Sequence, residues 1–285
     1  MEVLIVGKNG QLAWELQRTC PSSIDMHVCS SQDIDITSLE SVDRIVSSIQ
    51  PDVIINAAAY TAVDKAEVDR ESAFLINETG VENISQVAKR YDVRLLHVST
   101  DFVFDGCKNS AYETNEQANP ICVYGLSKLK GEQAIKKLHK NAAIIRTSWL
   151  YSEHGQNFVN TMLHLMKDRE KLDVVSDQIG CPTSAHGLAK FLWSLAEIDE
   201  ISDIYHYCDL GVASWYDFAI SIQSLGLKYG LLDKRIPITP ISSSEYPTLA
   251  QRPTFSLLSS SVEAKGYQKH WTEALEDTLE SLCKS

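Results

Sequence analysis

Short apolar runs and amphipathic stretches alternate through the first half of the chain. Glu2–Val6 is a compact apolar run that ends at Gly7, and a weaker run follows at Met26–Cys29. Val53–Ala57 stands behind the breaker Pro51-Asp52, and Arg94–Val98 and Ala143–Thr147 complete the series. Runs this short, bounded by turn residues, read as buried strands. Between them the period changes. Val42, Ile45, Val46 and Ile49 recur at i, i+3, i+4 and i+7, and Leu75, Val81, Ile84 and Val87-Ala88 give Ala73–Tyr91 the same helical character. Strands alternating with helices predict an α/β fold, a Rossmann-type doubly wound parallel sheet with helices on both faces. No repeat, low-complexity tract or linker breaks the chain, so the second half is expected to build a smaller lobe onto the first. Asp209–Trp215 and Pro237–Pro253 carry loop signals. Trp271–Leu282 reads as a last helix, with Leu275, Thr278-Leu279 and Leu282 on one face.

Composition narrows the classes of function. The 285 residues allow one large α/β domain, or one with an added lobe, and a hydrophobic share of 44% is enough for a substantial core. A formal net charge of −12 repels nucleic acid and anionic lipid at long range, so neither is an expected partner. The start Met1-Glu2-Val3-Leu4 lacks the basic region and cleavage site of a signal peptide, and no apolar run is long enough to span a bilayer. Seven cysteines are scattered, odd in number and never spaced C-x-x-C, which fits reduced thiols in the cytoplasm better than a disulfide frame or a zinc site. The eight histidines show no metal-ligand spacing, and no metal is expected. His97, inside the fourth apolar run, reads as a core histidine.

Candidate chemistry begins at Gly7-Lys8-Asn9-Gly10-Gln11-Leu12-Ala13, where the first strand should turn into the first helix. Glycine at the strand end permits a tight turn, the second lets backbone approach a pyrophosphate, and a small third residue lets helix and sheet pack closely. Free N–H groups at the helix start then meet the phosphates. Glycines after strands are also ordinary turn residues; the position directly behind an N-terminal strand favours a dinucleotide. The second run ends Cys29-Ser30-Ser31-Gln32-Asp33, with neither an acid at its tip to select NADH nor an arginine to welcome the extra phosphate of NADPH. Either cofactor remains open.

Tyr124 and Lys128 stand at i and i+4, one face of a helix. A cationic neighbour lowers a phenol's pKa, and a tyrosine so tuned exchanges a proton with a carbonyl as hydride arrives or leaves. Taken alone, an ordinary surface pair has the same spacing. Upstream, Val98-Ser99-Thr100-Asp101 closes the fourth run, and a strand ending in hydroxyl residues aims them at the sheet edge where open α/β folds bind ligands. Thr100 is thereby placed to hydrogen-bond a substrate carbonyl beside Tyr124; the bland alternative is a helix cap.

These features, with longer segments, resemble the extended short-chain dehydrogenases and, within them, the dTDP-4-dehydrorhamnose reductases. The matching stretches are VGKNGQLAWEL (Val6–Leu16), NAAAYTAVDKAE (Asn56–Glu67), STDFVFDG (Ser99–Gly106), YGLSKLKGE (Tyr124–Glu132), RTSWLY (Arg146–Tyr151), DQIGCPT (Asp177–Thr183) and Arg252-Pro253. The glycine turn and the Tyr/Lys pair mark only the superfamily; the second, third and fifth segments are more specific to this sugar-nucleotide reductase. The resemblance implies a nicotinamide-binding part in residues 1–150 and a substrate lobe in 151–285, some of whose segments return to the core. It implies Tyr124 as the acid that protonates the sugar O4, Lys128 as the holder of the nicotinamide ribose, and Thr100 beside the carbonyl. Gly7, Gly10, Gln11 and Leu12 would wrap the pyrophosphate. Ser30 takes the place of the ribose-binding acid, Asp35 and Ile36 flank adenine, and Ala59, Tyr60 and Thr61 run along the middle of the cofactor. Asp101, Trp149 and Arg252 match substrate-contacting positions, Arg252 near the diphosphate. A core tryptophan and a surface ion pair are the plain alternatives for Trp149 and Arg252. Some members dimerise around magnesium held by carboxylates; here the stretch Ser184-Ala185-His186-Gly187-Leu188 has no acid, so the resemblance does not carry that bridge over. A monomer or homodimer acting on a dTDP-sugar with NADPH or NADH is expected. The alternatives are a reductase of another dTDP-4-keto-deoxysugar, and a non-catalytic dinucleotide-binding subunit, against which intact Thr100, Tyr124 and Lys128 argue.

Overall fold

A computed structural model describes residues 1–284 of the chain. The nucleotide-side half runs β1 (Glu2–Val6), α1 (Gln11–Arg18), β2 (Asp25–Cys29), α2 (Leu39–Ile49), β3 (Val53–Asn56), the short helices α3 (Val63–Ala66) and α4 (Arg70–Phe74), α5 (Gly80–Arg90), β4 (Arg94–Thr100), α6 (Val123–Leu138) and β5 (Ala142–Thr147). The rest is β6 (Leu150–Tyr151), α7 (Phe158–Asp168), β7 (Leu172–Val175), β8 (Ile179–Gly180), β9 (Thr183–Ser184), α8 (Ala185–Glu197), β10 (Ile204–His206), β11 (Ala213–Ser214), α9 (Trp215–Lys228), β12 (Ile238–Ile241) and α10 (Trp271–Lys284).

Six strands form one sheet in the order β10-β5-β4-β3-β1-β2, and every neighbouring pair in it is parallel. β1 and β3–β5 are buried on both faces, which is why their sequences are nearly continuous apolar runs rather than alternating ones. The chain leaves β1 for β2 on one side and returns to β3 on the other, so the direction of travel across the sheet reverses between β1 and β3. At such a switch point the loops diverge and a crevice opens beyond the strand ends. The glycine turn, the loop after β3 and the Thr100 end of β4 all come out at this edge.

All five expected strands are present. The Ala73–Tyr91 stretch is helical throughout but not uniformly so: Leu75–Thr79 widens into a π-turn between α4 and α5. Gly131 of α6 lies against that turn, where an added Cβ would stand 2.2 Å from the Asn77 carbonyl oxygen. Two segments read as loops are partly ordered. Asp209–Trp215 contains β11, paired with β8, and Pro237–Pro253 contains β12, paired in parallel with β7. Both strands are short and β12 carries Pro240, so their pairing is imposed by the partner strand rather than by local pattern. Later segments return to the main sheet: β10 adds its edge beside β5, and α8 packs on α1, where Trp193 Nε1 donates to the Leu16 carbonyl at 3.2 Å. A separate apolar cluster, including Phe104, Tyr151, Phe218 and Trp271, holds the smaller lobe together.

Candidate active site

A groove of about 850 Å³ follows the switch-point edge. Its floor at one end is the glycine turn. Gly7 has φ +111°, and a Cβ there would sit 2.8 Å from the Ala58 amide nitrogen, so neither conformation nor space admits a side chain. Gly10 caps α1 without any side-chain bond, and the first turn contains no acid, which leaves the α1 amides directed at the groove. Ala57, Ala58 and Ala59 keep the wall beside it low. Backbone amides, a positive helix end and small residues suit the pyrophosphate of a dinucleotide. Beyond the β2 end, Asp33 turns its carboxylate back to accept from the Ser30 amide and hydroxyl at 2.8 and 2.7 Å. Those bonds lower its pKa. Asp35 accepts from the Thr37 amide at 2.9 Å.

Of the residues predicted for the site, Gly7, Gly10, Gln11, Leu12, Ser30, Asp35, Ile36, Ala59, Thr61, Thr100, Asp101, Tyr124, Lys128, Trp149 and Arg252 all line this groove. Tyr60 is not part of its lining: it packs against the small apolar cluster of Ala66, Ala73, Cys122, Val123, Tyr124 and Ala250, and its hydroxyl donates to Asp69 at 3.2 Å. The Tyr60 backbone is what the structure holds in place, through Asn77, which accepts from the amide at 2.9 Å and donates to the carbonyl at 3.1 Å. Sequence reasoning missed Lys8, the cation in the glycine turn, and Trp215 of α9, both on the groove wall. Trp215 stacks on Trp149 with centroids 3.6 Å apart and planes 7° from parallel. Trp149 itself takes φ +45°, and it packs against the apolar cluster of the lobe. Nothing local in the sequence pairs these two rings, because they come from segments far apart in the chain.

At the centre, Tyr124 lies in the first turn of α6 and its ring meets Phe102 edge-on at 5.6 Å. The expected lowering of its phenol by Lys128 is not what the geometry gives. Burial, the largest influence, pushes the phenol up; a hydrogen bond with the Thr100 hydroxyl opposes this, and Asp101 and Cys122 add to the rise. The lysine amine is occupied elsewhere, donating to the Val98 carbonyl at 2.7 Å and lying 3.2 Å from His97 Nε2. Burial lowers Lys128 to about 8. Tyr124 is therefore held as the protonated phenol, which is the form needed to give a proton to a carbonyl oxygen. Asp101 is buried beside Thr100, whose hydroxyl donates to its Oδ1 at 3.0 Å, and its Oδ2 has no partner. Burial raises it to about 6 against the pull of Ser256 and Thr100. Across the groove, Arg252 is gripped by Asp64 through two bonds, Nη1–Oδ1 at 3.0 Å and Nη2–Oδ2 at 2.7 Å. Among the described residues no group of three or more His, Cys, Asp or Glu side chains could hold a metal ion.

A groove at the switch point of a parallel sheet, ending on a buried phenol and hydroxyl, marks a Rossmann-type α/β protein with its ligand groove beyond the strand ends. The fold alone is shared with the UDP-glucose 4-epimerase of Thermus thermophilus, solved with NAD, at a TM-score of 0.82 and 16% identity over 100% of this chain and 99% of that one. Closer likeness is more particular. The family described as "RmlD substrate binding domain" matches residues 1–283. A dTDP-4-dehydrorhamnose reductase of Aggregatibacter actinomycetemcomitans is 41% identical over 263 residues, 90% of each chain. The crystal structure of dTDP-4-dehydrorhamnose reductase from Bacillus anthracis, in complex with NADP, superposes with a TM-score of 0.92 at 36% identity, covering 98% of this chain and 99% of that one. The chain belongs to the dTDP-4-dehydrorhamnose reductase family.

Proposed function

We propose that the protein reduces the C4 ketone of dTDP-4-dehydro-β-L-rhamnose to dTDP-β-L-rhamnose with NADPH or NADH. The observation that carries this reading is the buried, protonated Tyr124 beside Thr100 at the end of a groove shaped for a dinucleotide. Reduced nicotinamide, when bound, supplies the hydride. Tyr124 hands its proton to O4 as charge develops there, and Thr100 holds the same oxygen. The stacked pair Trp149–Trp215 offers a flat apolar face to the sugar or base. Arg252 meets the diphosphate, and Asp101, on the groove wall beside Thr100, contacts the sugar.

We read residues 1–150 as mainly the cofactor-binding part and 151–285 as mainly the substrate lobe, with α8 and β10 returning to the sheet. No described helix is long and apolar enough to cross a membrane, and the seven cysteines, all unbridged, support a cytoplasmic location. The test supplies dTDP-4-dehydro-β-L-rhamnose with NADPH or NADH in separate reactions and follows nicotinamide absorbance. Loss of absorbance with formation of dTDP-β-L-rhamnose is expected. Protein inert with both cofactors, or active only on a different keto-deoxysugar, would overturn the assignment.

A further inference from the structure

We propose that His97 is a positioning residue for this reaction: its Nε2–H donates to the Lys128 amine and so sets when that lysine carries charge. The inference rests on Lys128 being the active-site lysine. It follows from the donor and acceptor polarity of a chain of buried groups. The Ala58 amide donates to Asn56 Oδ1 at 3.1 Å, which fixes the Asn56 amide with Nδ2, a donor only, 3.0 Å from His97 Nδ1. Nδ1 must then accept. A neutral imidazole that accepts at Nδ1 carries its proton on Nε2. Nε2 lies 3.2 Å from Lys128 Nζ. An ammonium has donors and no acceptor, whereas a neutral amine has a lone pair for that N–H and still donates to the Val98 carbonyl at 2.7 Å. The opposite polarity would turn the Asn56 amino group against the Ala58 N–H, two donors face to face.

Above about pH 8, where Lys128 has lost its proton, the surroundings agree with a neutral pair. His97 is completely buried, and burial, with Lys128 beside it, pushes its pKa well below the ordinary value, which removes the imidazolium alternative. On α6, Glu132 lies one turn beyond Lys128 and raises its pKa. That carboxylate is already committed, to Ser99 Oγ at 2.5 Å and to Arg146 of β5 through Nε at 3.0 Å and Nη2 at 2.6 Å. One turn the other way, Tyr124 is an uncharged phenol, and β3 contributes only the uncharged Asn56. For Lys128 to take up a proton and stay bonded, His97 must move its own proton to Nδ1 and Asn56 must rotate. The imidazole is therefore the group against which the lysine titrates.

The direct test is the tautomer of His97 in the whole wild-type protein. Long-range 1H–15N correlation spectra recorded above about pH 9, where Lys128 is neutral, and assigned through the backbone should show His97 protonated at Nε2 alone. Protonation at Nδ1, or at both nitrogens, overturns the proposal. The second reading is the pH profile of kcat/KM for His97→Leu, which removes the N–H that favours the neutral amine. The apparent ionisation of Lys128 should move up by roughly one pH unit, the scale of one lost hydrogen bond. A lowered rate with an unmoved profile would mean a merely structural histidine. Because the tautomer is read without turnover, a wild-type protein inert toward the sugar would sink the reductase reading and leave this test intact.

Discussion

Asp101 concentrates the chemistry of the site in one residue. Its carboxyl is buried, has one unpartnered oxygen and titrates at about 6. The unfolded chain loses this proton near the ordinary value of 3.8, before the folded one does. The stability that goes with the protonated form is thus fully present below that value and is lost as pH rises to about 6. Asp101→Asn escapes this loss. We expect it to melt higher than the wild type at neutral pH by an amount worth roughly 1–3 kcal/mol, with the gap closing by pH 4, while activity on the sugar falls. Thermal melts across pH with parallel assays check both halves. Trp149→Ala should raise KM for the sugar nucleotide by roughly tenfold through loss of the stacked face, and leave nicotinamide binding unchanged in a fluorescence titration.

At the scale of elements, α6 matters most because it carries Tyr124 and Lys128 against the end of β4. Its seating depends on Gly131, where backbone meets the π-turn. Alanine is favoured over glycine in a helix interior by about 1 kcal/mol, yet here its methyl would meet a backbone oxygen that cannot yield. Gly131→Ala should therefore destabilise by about 2–3 kcal/mol, read from denaturant unfolding, whereas the exposed Gln133→Ala on the same helix should not. The same elements explain what was legible beforehand. β1, β3, β4 and β5 are central and buried on both faces, so burial wrote itself into continuous apolar runs. β12 pairs only because β7 presents an edge, and the sequence Ile238-Thr239-Pro240-Ile241 carries no such message. The π-turn is equally silent, since it answers to packing against α6 rather than to helical period.

Across the whole molecule, the site joins groups that come from both halves of the chain. Gly7, Thr100 and Tyr124 were legible because each sits at a strand end or helix start, where local pattern and position coincide. The Trp149–Trp215 stack, the Asp64–Arg252 grip and the bonds of Lys128 to β4 were not, because each depends on which segments the fold brings face to face. The grip links α3 to the lobe. Its groups are partly exposed, so Asp64→Asn should cost less than about 1 kcal/mol of stability. Its larger effect should be kinetic, a several-fold rise in KM for the sugar nucleotide as Arg252 loses its orientation, with kcat little changed in steady-state assays.

The proposed reduction turns on one proton. Tyr124→Phe removes the phenol hydroxyl and keeps the ring against Phe102. Single-turnover reduction of dTDP-4-dehydro-β-L-rhamnose by this variant, with nicotinamide binding measured alongside, tests it most directly. We predict a rate lowered by about a hundredfold or more with cofactor affinity preserved. A variant that reduces the sugar at the wild-type rate would contradict the assignment of Tyr124 as the acid.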